Sequence, residues 1–378
     1  MFLSFLRFQF ALLISLVLIG CEGDSDSSVG AEGENDFAGE SLTIYSWEEY
    51  FSPDLLANFE KETGAQIKYL TFSNTEEMEA RVKSEPEKYD LVVTDDATVE
   101  LLLKLDLLQE LNHKWLPSLG NIGESYKKQP YDSGNQWSAP YTWGLTLVAY
   151  RKDKIIDPEP SWDLLWSEQA RGRIMMLEER FEPFAIALYR MGKSPNTSES
   201  AAFETALEAL LSQVSEQKVV YGDDVEVKKQ LSSGDVWAAM CYSGDAALLS
   251  SENSEIDYFV PQEGAPMWVD SMVIPRDSRK ELLAHAFIEF MLRPDSAAAT
   301  SKYTGCATPN VASLQLIEPQ MRDDPRIFPP DEVLESCKLL TRMNPEREVF
   351  VNGGWLKINQ AIRKHAVGRD QVSGNDPK

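Results

Sequence analysis

The sequence predicts an α/β protein built on a mainly parallel sheet, and two observations carry this prediction. Over residues 42–107, short β-branched runs alternate with amphipathic stretches in the order β-α-β-α-β-α, which is the pattern of parallel strands covered by helices. The chain has 378 residues, of which 43% are hydrophobic and 26% charged. That balance allows a sizeable core in one large or two medium domains.

The individual elements follow from periodicity. Leu55, Leu56 and Phe59 recur at helical spacing, and Gly64 provides a natural end for that helix. Strands are predicted at residues 42–46, 66–72, 89–94, 145–150, 173–177, 236–243, 256–260 and 271–274. Helices are predicted at residues 53–63, 76–84, 99–107, 162–167, 183–191, 201–215, 225–232 and 282–292.

The two termini are predicted to lie outside the folded body. Residues 1–21 carry Arg7, a long apolar run, and then Gly20 and Cys21, which indicates a signal peptide. The ending LIGC resembles the bacterial lipobox, and this resemblance implies that Cys21 is lipidated and becomes the mature first residue. An ordinary secretory peptide is the alternative. Residues 22–40 are rich in Gly, Ser and acid and predict a flexible tether, and residues 367–378 predict a disordered tail.

The charge and the scarce reactive residues limit the possible functions. A net charge of −25 repels nucleic acid and anionic lipid and attracts cations, although surface acid also keeps a secreted protein soluble. Cys241, Cys306 and Cys337 form no C-x-x-C motif, so we expect mostly buried thiols with at most one disulfide. The three histidines are scattered. No metal site, triad or cofactor is therefore predicted.

Acids and aromatic rings recur together where strands are predicted to end. Any one of these groups is explained by a core ring or by a solvated helix face. Their recurrence favours a site for an extended organic cation, because carboxylates attract ammonium groups and rings pack on methylenes. A cation over a ring gains ~0.5–2 kcal/mol, and an aliphatic amine with a pKa of ~10.4 is charged at neutral pH. The candidate ligand-binding residues are Trp47, Glu48, Tyr50, Asp95, Glu179, Glu182, Tyr242, Asp245, Trp268 and Asp270.

The order of several short segments over about residues 41–360 resembles one family. The segments are IYSWEEYFSPDLLANFEKETG, YDLVV, SAPYTWG, SWDLLW, YSGDA, WVDSMVIP, FMLRPD and ATPN, and together they resemble the periplasmic spermidine/putrescine-binding proteins of polyamine ABC transporters. The resemblance implies a type II periplasmic binding fold, in which two α/β lobes are joined by crossing segments near residues 141–145 and 266–270. The N-terminal lobe would comprise residues 41–142 and about 269–314, and the C-terminal lobe residues 146–265 and about 315–366.

The resemblance also implies roles for particular residues. Trp47 and Tyr50 match the family's aromatic wall, and Glu179 and Glu182 match its acidic ligands. A further ring and an acid of the putrescine-preferring branch match Tyr242 and Asp245, and a Trp-x-Asp unit whose acid clamps an amine matches Trp268 and Asp270. The chain departs from the family at Glu48, Asp95, Ala97 and Cys306. These departures leave the preferred polyamine open.

The function predicted from the sequence is a receptor without catalytic activity. It would bind a polyamine, close around it and deliver it to an inner-membrane ABC permease and its ATPase. It would be a monomer held on the periplasmic side of a bacterial membrane by its lipid anchor, with no nucleic-acid partner. Three alternatives remain: an enzyme using Glu179 and Glu182 as paired carboxylates, a receptor for a metal or another organic cation, and a sensory ligand-binding protein of the same fold.

Overall fold

The computed structural model describes residues 36–72 and 74–373. Its strands are β1 (Ser41–Trp47), β2 (Gln66–Phe72), β3 (Leu91–Asp95), β4 (Ser138–Arg151), β5 (Ile174–Leu177), β6 (Val220–Gly222), β7 (Ala238–Tyr242), β8 (Ile256–Phe259), β9 (Pro266–Val273) and β10 (Lys338–Leu339). Its α-helices are α1 (Pro53–Thr63), α2 (Thr75–Ser84), α3 (Asp96–Lys104), α4 (Glu124–Lys127), α5 (Glu182–Arg190), α6 (Ser200–Ser212), α7 (Asp224–Ser233), α8 (Ser243–Glu252), α9 (Glu281–Leu292), α10 (Pro294–Thr304), α11 (Pro319–Arg322), α12 (Asp331–Leu334) and α13 (Pro345–Ser373).

The described strands form one mixed sheet in the order β2-β1-β3-β9-β4-β7-β5-β6, with β10 beside β9 and β8 beside β4. The predicted α/β class is confirmed. Strands β2, β1 and β3 pair in parallel, as do β6, β5 and β7. We call these sets the first half and the second half of the sheet. The prediction of a mainly parallel sheet is only partly right, because β4 and β9 pair antiparallel with each other and with β7 and β3.

Strands β4 and β9 connect the two halves of the sheet. Residues 138–145 of β4 pair with β9, and residues 146–150 pair with β7. The sequence predicts a strand only from residue 145, whereas the observed strand also includes Pro140, which lacks the N–H that a strand interior needs. In the structure the ladder is kept by a shift of register between Pro140 and Thr142. Both predicted crossing segments therefore lie within strands.

Each half of the sheet has its own core. Phe59, Phe287 and Met272 belong to a buried cluster around the first half, whereas Trp162 and Met176 belong to a cluster around the second. Helices α5, α6 and α13 add a further buried cluster beside the second half. The residue boundaries of the two lobes stay a prediction.

Most predicted helices are present with bounds shifted by a few residues. Helix α3 begins at Asp96 rather than at residue 99, because the Asp95 side chain caps it. Residues 162–166 form a 3₁₀-helix, and helices α8, α10 and α13 are not predicted from the sequence. Helix α13 runs to Ser373 and so covers residues 367–373, where the sequence predicts a disordered tail.

Some predictions concern parts of the chain beyond these elements. The proposed signal peptide, Cys21, and the tether up to residue 35 lie outside the described residues. Cys241, Cys306 and Cys337 are buried and free, as predicted. Within residues 36–72 and 74–373, no helix combines the length and the apolar character required to cross a membrane.

Candidate functional site

The turn after the first strand places one aromatic ring near the centre of the sheet, while the two acids beside it remain exposed. After β1 ends at Trp47, the chain turns through Glu49, whose φ is +55°. Glu48 and Glu49 are exposed, whereas Tyr50 is half-buried with its ring 5.8 Å from that of Tyr141. The Trp47 ring packs edge-on against Phe72 at 4.4 Å. The turn therefore aims Tyr50, and not the neighbouring acids, at strands β4 and β9.

Asp270 lies at the meeting point of three strands. On β9 it is opposite Asp95 of β3 and opposite Thr142 of β4. The Tyr50 hydroxyl donates a hydrogen bond to Asp270 Oδ2 and lies 2.7 Å from Thr142 Oγ1. Burial raises the pKa of Asp270 to about 7; the Tyr50 hydrogen bond lowers it and the Asp95 charge raises it. Asp270 is thus a buried acid facing a second acid at ~5 Å between Cβ atoms.

Asp95 caps helix α3 and faces the same space. Its Oδ1 accepts from Thr98 N at 2.9 Å and its Oδ2 accepts from the Thr98 hydroxyl at 3.1 Å. Burial nevertheless raises the pKa of Asp95. Asp96 is also buried, with Oδ1 3.4 Å from Val269 N, and its pKa is raised well above its ordinary value, first by burial and then by Asp95.

Glu182 and Glu179 form a second acidic group. Glu182 opens helix α5, and its Oε1 accepts a hydrogen bond from Thr146 Oγ1 at 3.0 Å. Its Oε2 is buried and has no hydrogen-bond partner among the described residues. Burial raises the pKa of Glu182 to about 7. Burial, followed by the charges of Glu182, Glu76 and Asp95, raises the pKa of Glu179 to about 8.

Two aromatic rings lie beside these acids. Tyr242 ends β7 opposite Thr146, and its ring meets that of Trp268 at 6.0 Å and 85°. The Trp268 indole fits because Gly144 lies beneath it: a Cβ at Gly144 would be 2.3 Å from Trp268 Cζ2. Trp268 Nε1 is buried without a hydrogen-bond partner in the described part of the chain. Any larger residue at position 144 would displace this ring.

Asp245 is held differently from the other acids. It lies in the first turn of α8, directly after β7. Its Oδ1 accepts from Lys228 Nζ at 3.0 Å. Burial raises the pKa of Asp245 to about 6, while Lys228 lowers it. This acid therefore carries its own counter-ion.

The two unpaired acidic groups are separated along β4. Thr142 contacts the Tyr50–Asp270 group and Thr146 contacts Glu182. Residues four apart on a strand lie on one face and are ~13 Å apart. The charge of Asp95 contributes to raising the pKa values of Glu179, Glu182 and Asp270. The arrangement is a row of acids beside rings, with an acid at each end.

A comparison with known proteins assigns the family. Bacterial extracellular solute-binding proteins match residues 54–329 of this chain. The chain belongs to this family. It is a family of solute-binding proteins of transport systems and not of enzymes, and the resemblance predicted from the sequence is confirmed.

The curated and structural relatives of this solute-binding protein point to one group. The spermidine/putrescine-binding periplasmic protein of Escherichia coli K12 is 30% identical over 299 residues, which is 78% of this chain and 85% of the relative. The putrescine/cadaverine-binding protein of Pseudomonas aeruginosa is 30% identical, covering 85% of this chain and 94% of the relative. A spermidine/putrescine ABC transporter substrate-binding protein from Streptococcus pneumoniae, solved with calcium and HEPES, has a TM-score of 0.77 at 28% identity, over 85% of this chain and 99% of the relative.

The site of this solute-binding protein contains residues that the sequence does not single out. Thr142 and Thr146 are polar partners of the acids but belong to a strand only partly predicted. Lys228 lies on a predicted helix, where a lysine normally marks an exposed face. A pattern search for polar residues two or four apart within an apolar strand would find the threonines. Nothing in the sequence places Lys228 beside Asp245.

Proposed function

We propose that this protein captures a polyamine between the two halves of its sheet. The observation that carries this proposal is the set of four acids, Asp95, Glu179, Glu182 and Asp270, that lie in two groups along one slot and have raised pKa values. Their mutual repulsion and burial are relieved when ammonium groups enter, because an opposite charge nearby favours the ionised carboxylate. A neutral or anionic solute provides no such relief.

The proposed pose follows from the two acidic groups. One terminal ammonium lies at Asp270 and Asp95, near the Tyr50 hydroxyl. The other lies at Glu182, whose free Oε2 accepts it, with Glu179 beside it. Trp268 and Tyr242 pack against the methylenes between the amines and attract the cation through their ring faces. Trp47 is a further wall of the slot on the side of the first strand, and Glu48, being exposed, contributes only long-range charge.

The separation of the acidic groups favours a triamine over a diamine. An extended chain advances ~1.25 Å per single bond of ~1.5 Å, so the nine bonds of spermidine span ~11 Å and the five of putrescine ~6 Å. Acids anchored ~13 Å apart along β4 are bridged by the longer chain and its two terminal hydrogen bonds. Spermidine is therefore the proposed preferred ligand.

The proposed cellular role follows from the family. The two lobes, residues 41–142 with about 269–314 and residues 146–265 with about 315–366, would close about β4 and β9. The closed protein would present the polyamine to an ABC permease and its ATPase. Residues 1–21 would be removed as a signal peptide, and lipidated Cys21 would hold the monomer at the periplasmic face of the membrane through the tether.

Isothermal titration calorimetry tests the proposal. We expect micromolar or tighter binding of spermidine, with putrescine weaker by at least ~10-fold because it reaches only one acidic group at a time. Calcium is the control for a site that simply collects cations. Folded protein that binds none of putrescine, spermidine and spermine would refute a polyamine receptor. Tightest binding of putrescine would refute only the proposed length of the slot.

A further inference from the structure

Lys228 forms a partly exposed ion-pair network with Asp224 and Asp245, whose side chains are 45% and 18% exposed. It lies on α7, and its ammonium is 3.0 Å from Asp245 Oδ1 and 3.3 Å from Asp224 Oδ2. Asp224 is one helical turn before Lys228, whereas Asp245 belongs to α8. The lysine side chain is 28% exposed and that of Asp245 is 18% exposed. Burial alone would lower the pKa of Lys228, but Asp245 and Asp224 outweigh it and raise that pKa, so the lysine stays charged.

The network borders the acidic slot. Tyr242, which ends β7 three residues before Asp245, feels the charges of Glu182 and Glu179 as well as those of Asp224 and Asp245. On the other side, burial first, and then the charges of Asp245 and Asp270, raise the pKa of the Cys306 thiol to about 12, while Lys228 lowers it. Glu49, in the turn after β1, adds to the charge on Asp245. Gly244, directly before Asp245, packs against Cys306, because a Cβ at Gly244 would be 2.6 Å from Cys306 Sγ. This contact puts Asp245 beside the end of the slot where Asp270 and Tyr50 lie.

We propose that Lys228 is an internal counter-ion that occupies Asp245 and thereby limits the number of ammonium groups the slot accepts. This inference rests on the proposed function and adds a specificity determinant to it. Asp245 is a carboxylate at the edge of a cation site, yet its Oδ1 is already bonded to a lysine of the protein's own chain. A ligand ammonium at that position would meet the positive charge of Lys228. In the proposed pose Asp270 and Asp95 share one terminal ammonium, so with Asp245 occupied by Lys228 a further amine finds no free acid at that end.

The test is a comparison of ligand rank in Lys228→Met and the wild-type protein. Methionine is unbranched like lysine and only one heavy atom shorter, and it removes the charge, so Asp245 becomes available to a ligand amine. We expect the Kd for spermine to fall at least ~10-fold relative to that for spermidine in the variant. Lys229→Met is the matched control, because Lys229 is the next residue of α7, is 72% exposed and pairs only with Glu226 among the ion pairs described. It should leave the ratio unchanged within about twofold.

A second substitution identifies the acid involved. Asp245→Asn should weaken spermine binding by a larger factor in the Lys228→Met background than in the wild type, because only there is the carboxylate free to bind the ligand. If Lys228→Met does not fold, Lys228→Gln, which keeps a hydrogen-bond donor beside Asp245, replaces it in the same comparison. Thermal unfolding monitors both variants.

The outcomes separate this inference from the proposed function. If the wild type binds polyamines and Lys228→Met binds them in the same rank, the inference fails and the proposed function stands. If the wild type binds no polyamine and the Lys228→Met variant binds spermine, the proposed function fails and the blocking role of Lys228 is supported. If neither protein binds any polyamine, both the inference and the proposed function are refuted. An equal loss of affinity for every polyamine in Lys228→Met would show a structural lysine and overturn the inference.

Discussion

Two sets of buried acids in this chain are held in opposite ways. Asp132, in the loop before β4, is surrounded by donors: the backbone N–H groups of Gln136, Trp137 and Ser138 at 2.8–3.0 Å and the Ser138 hydroxyl at 2.7 Å. Glu182 has one donor, Thr146, and an Oε2 without a partner in the described chain. Both carboxylates lose contact with water, but only that of Asp132 gains enough hydrogen bonds from the protein to replace it.

The difference separates acids that build the fold from acids that await a ligand. A buried polar group that stabilises a fold normally has its hydrogen bonds satisfied within the protein. An acid left with a free oxygen destabilises the free protein and gains most when a cation arrives. Asp245 stands between the two sets, since its partner is a charged lysine rather than backbone N–H groups. The number of donors around each acid therefore indicates its role better than burial does.

The largest expected effect on ligand affinity comes from neutralising Asp270, an acid that awaits a ligand. Asp270→Asn should weaken polyamine binding by about 100-fold, because one ammonium would then face a neutral amide in a buried site. The free energy of unfolding of the ligand-free protein should stay the same or rise, because the repulsion with Asp95 is lost. Calorimetry and urea unfolding measure the two quantities.

Asp132→Asn is the matched control for that substitution. It should lower the free energy of unfolding by ~2 kcal/mol, since several charge-assisted hydrogen bonds are weakened. The Kd of the folded protein should change by less than about threefold, because the Asp132 carboxylate makes its hydrogen bonds to residues 136–138 and not to the four acids of the slot. The distinction between the two sets of acids is wrong if Asp132→Asn loses as much affinity as Asp270→Asn.

The parts of the molecule that the sequence predicts are those encoded by local patterns. Strands β1 to β3 and their helices follow from local periodicity, and α1 and β2 have the predicted bounds. Acids and rings at strand ends are visible as composition, so the candidate residues could be named in advance. Local signals are sufficient there, because each element is encoded by consecutive residues.

What the sequence does not predict depends on contacts between distant residues. The pairing of β4 with β9 carries the strand through Pro140, against its local preference. Thr142 and Thr146 acquire their roles only from Tyr50 and Glu182, which are 92 and 36 residues away. The Lys228–Asp245 contact joins two helices whose packing no short pattern specifies. Hydrogen-bond satisfaction, which distinguishes the two sets of acids, is a tertiary property of this kind.

An effect of intermediate size is expected from pH. The pKa values of Glu182 and Asp270 are raised to about 7 and that of Glu179 to about 8. Ammonium binding requires the ionised forms, so polyamine affinity should rise about tenfold from pH 6 to pH 8, with proton release on binding. Titrations in two buffers of different ionisation enthalpy measure the released protons. Glu182→Gln should flatten the dependence; an affinity independent of pH in this window would contradict the raised pKa values.

The stability of the ligand-free protein should change in the opposite direction. An acid whose pKa is higher in the folded state than in the unfolded chain, where it is ~4, holds its proton more tightly when folded. Its folded state is therefore most stable below about pH 4, and that stability is lost progressively as the pH rises through 7 and 8. Saturating spermidine should remove most of this loss.

The smallest expected effect concerns an ion pair between the two halves of the sheet. Arg180, which follows β5, pairs with Glu76 of α2, and its Nη1 also donates to Asn352 Oδ1 at 2.8 Å. Both members of the ion pair are about half exposed, so its contribution is small. Glu76→Gln should speed spermidine release about two- to fourfold by weakening a contact that joins the halves across the slot.

Glu85→Gln is the control for this pair, because Glu85 contacts Arg81 and Lys88 of its own neighbourhood and not the second half of the sheet. Stopped-flow release of spermidine should be unchanged in that variant. Glu76 also raises the pKa of Glu179, so its removal favours the ionised acid and opposes the faster release. At pH 9, above the pKa of Glu179, that acid is ionised in both proteins, so a difference in release rate reports the Glu76–Arg180 ion pair. A release rate equal to that of the wild type at pH 9 would show that Glu76 acts on the site only by raising the pKa of Glu179.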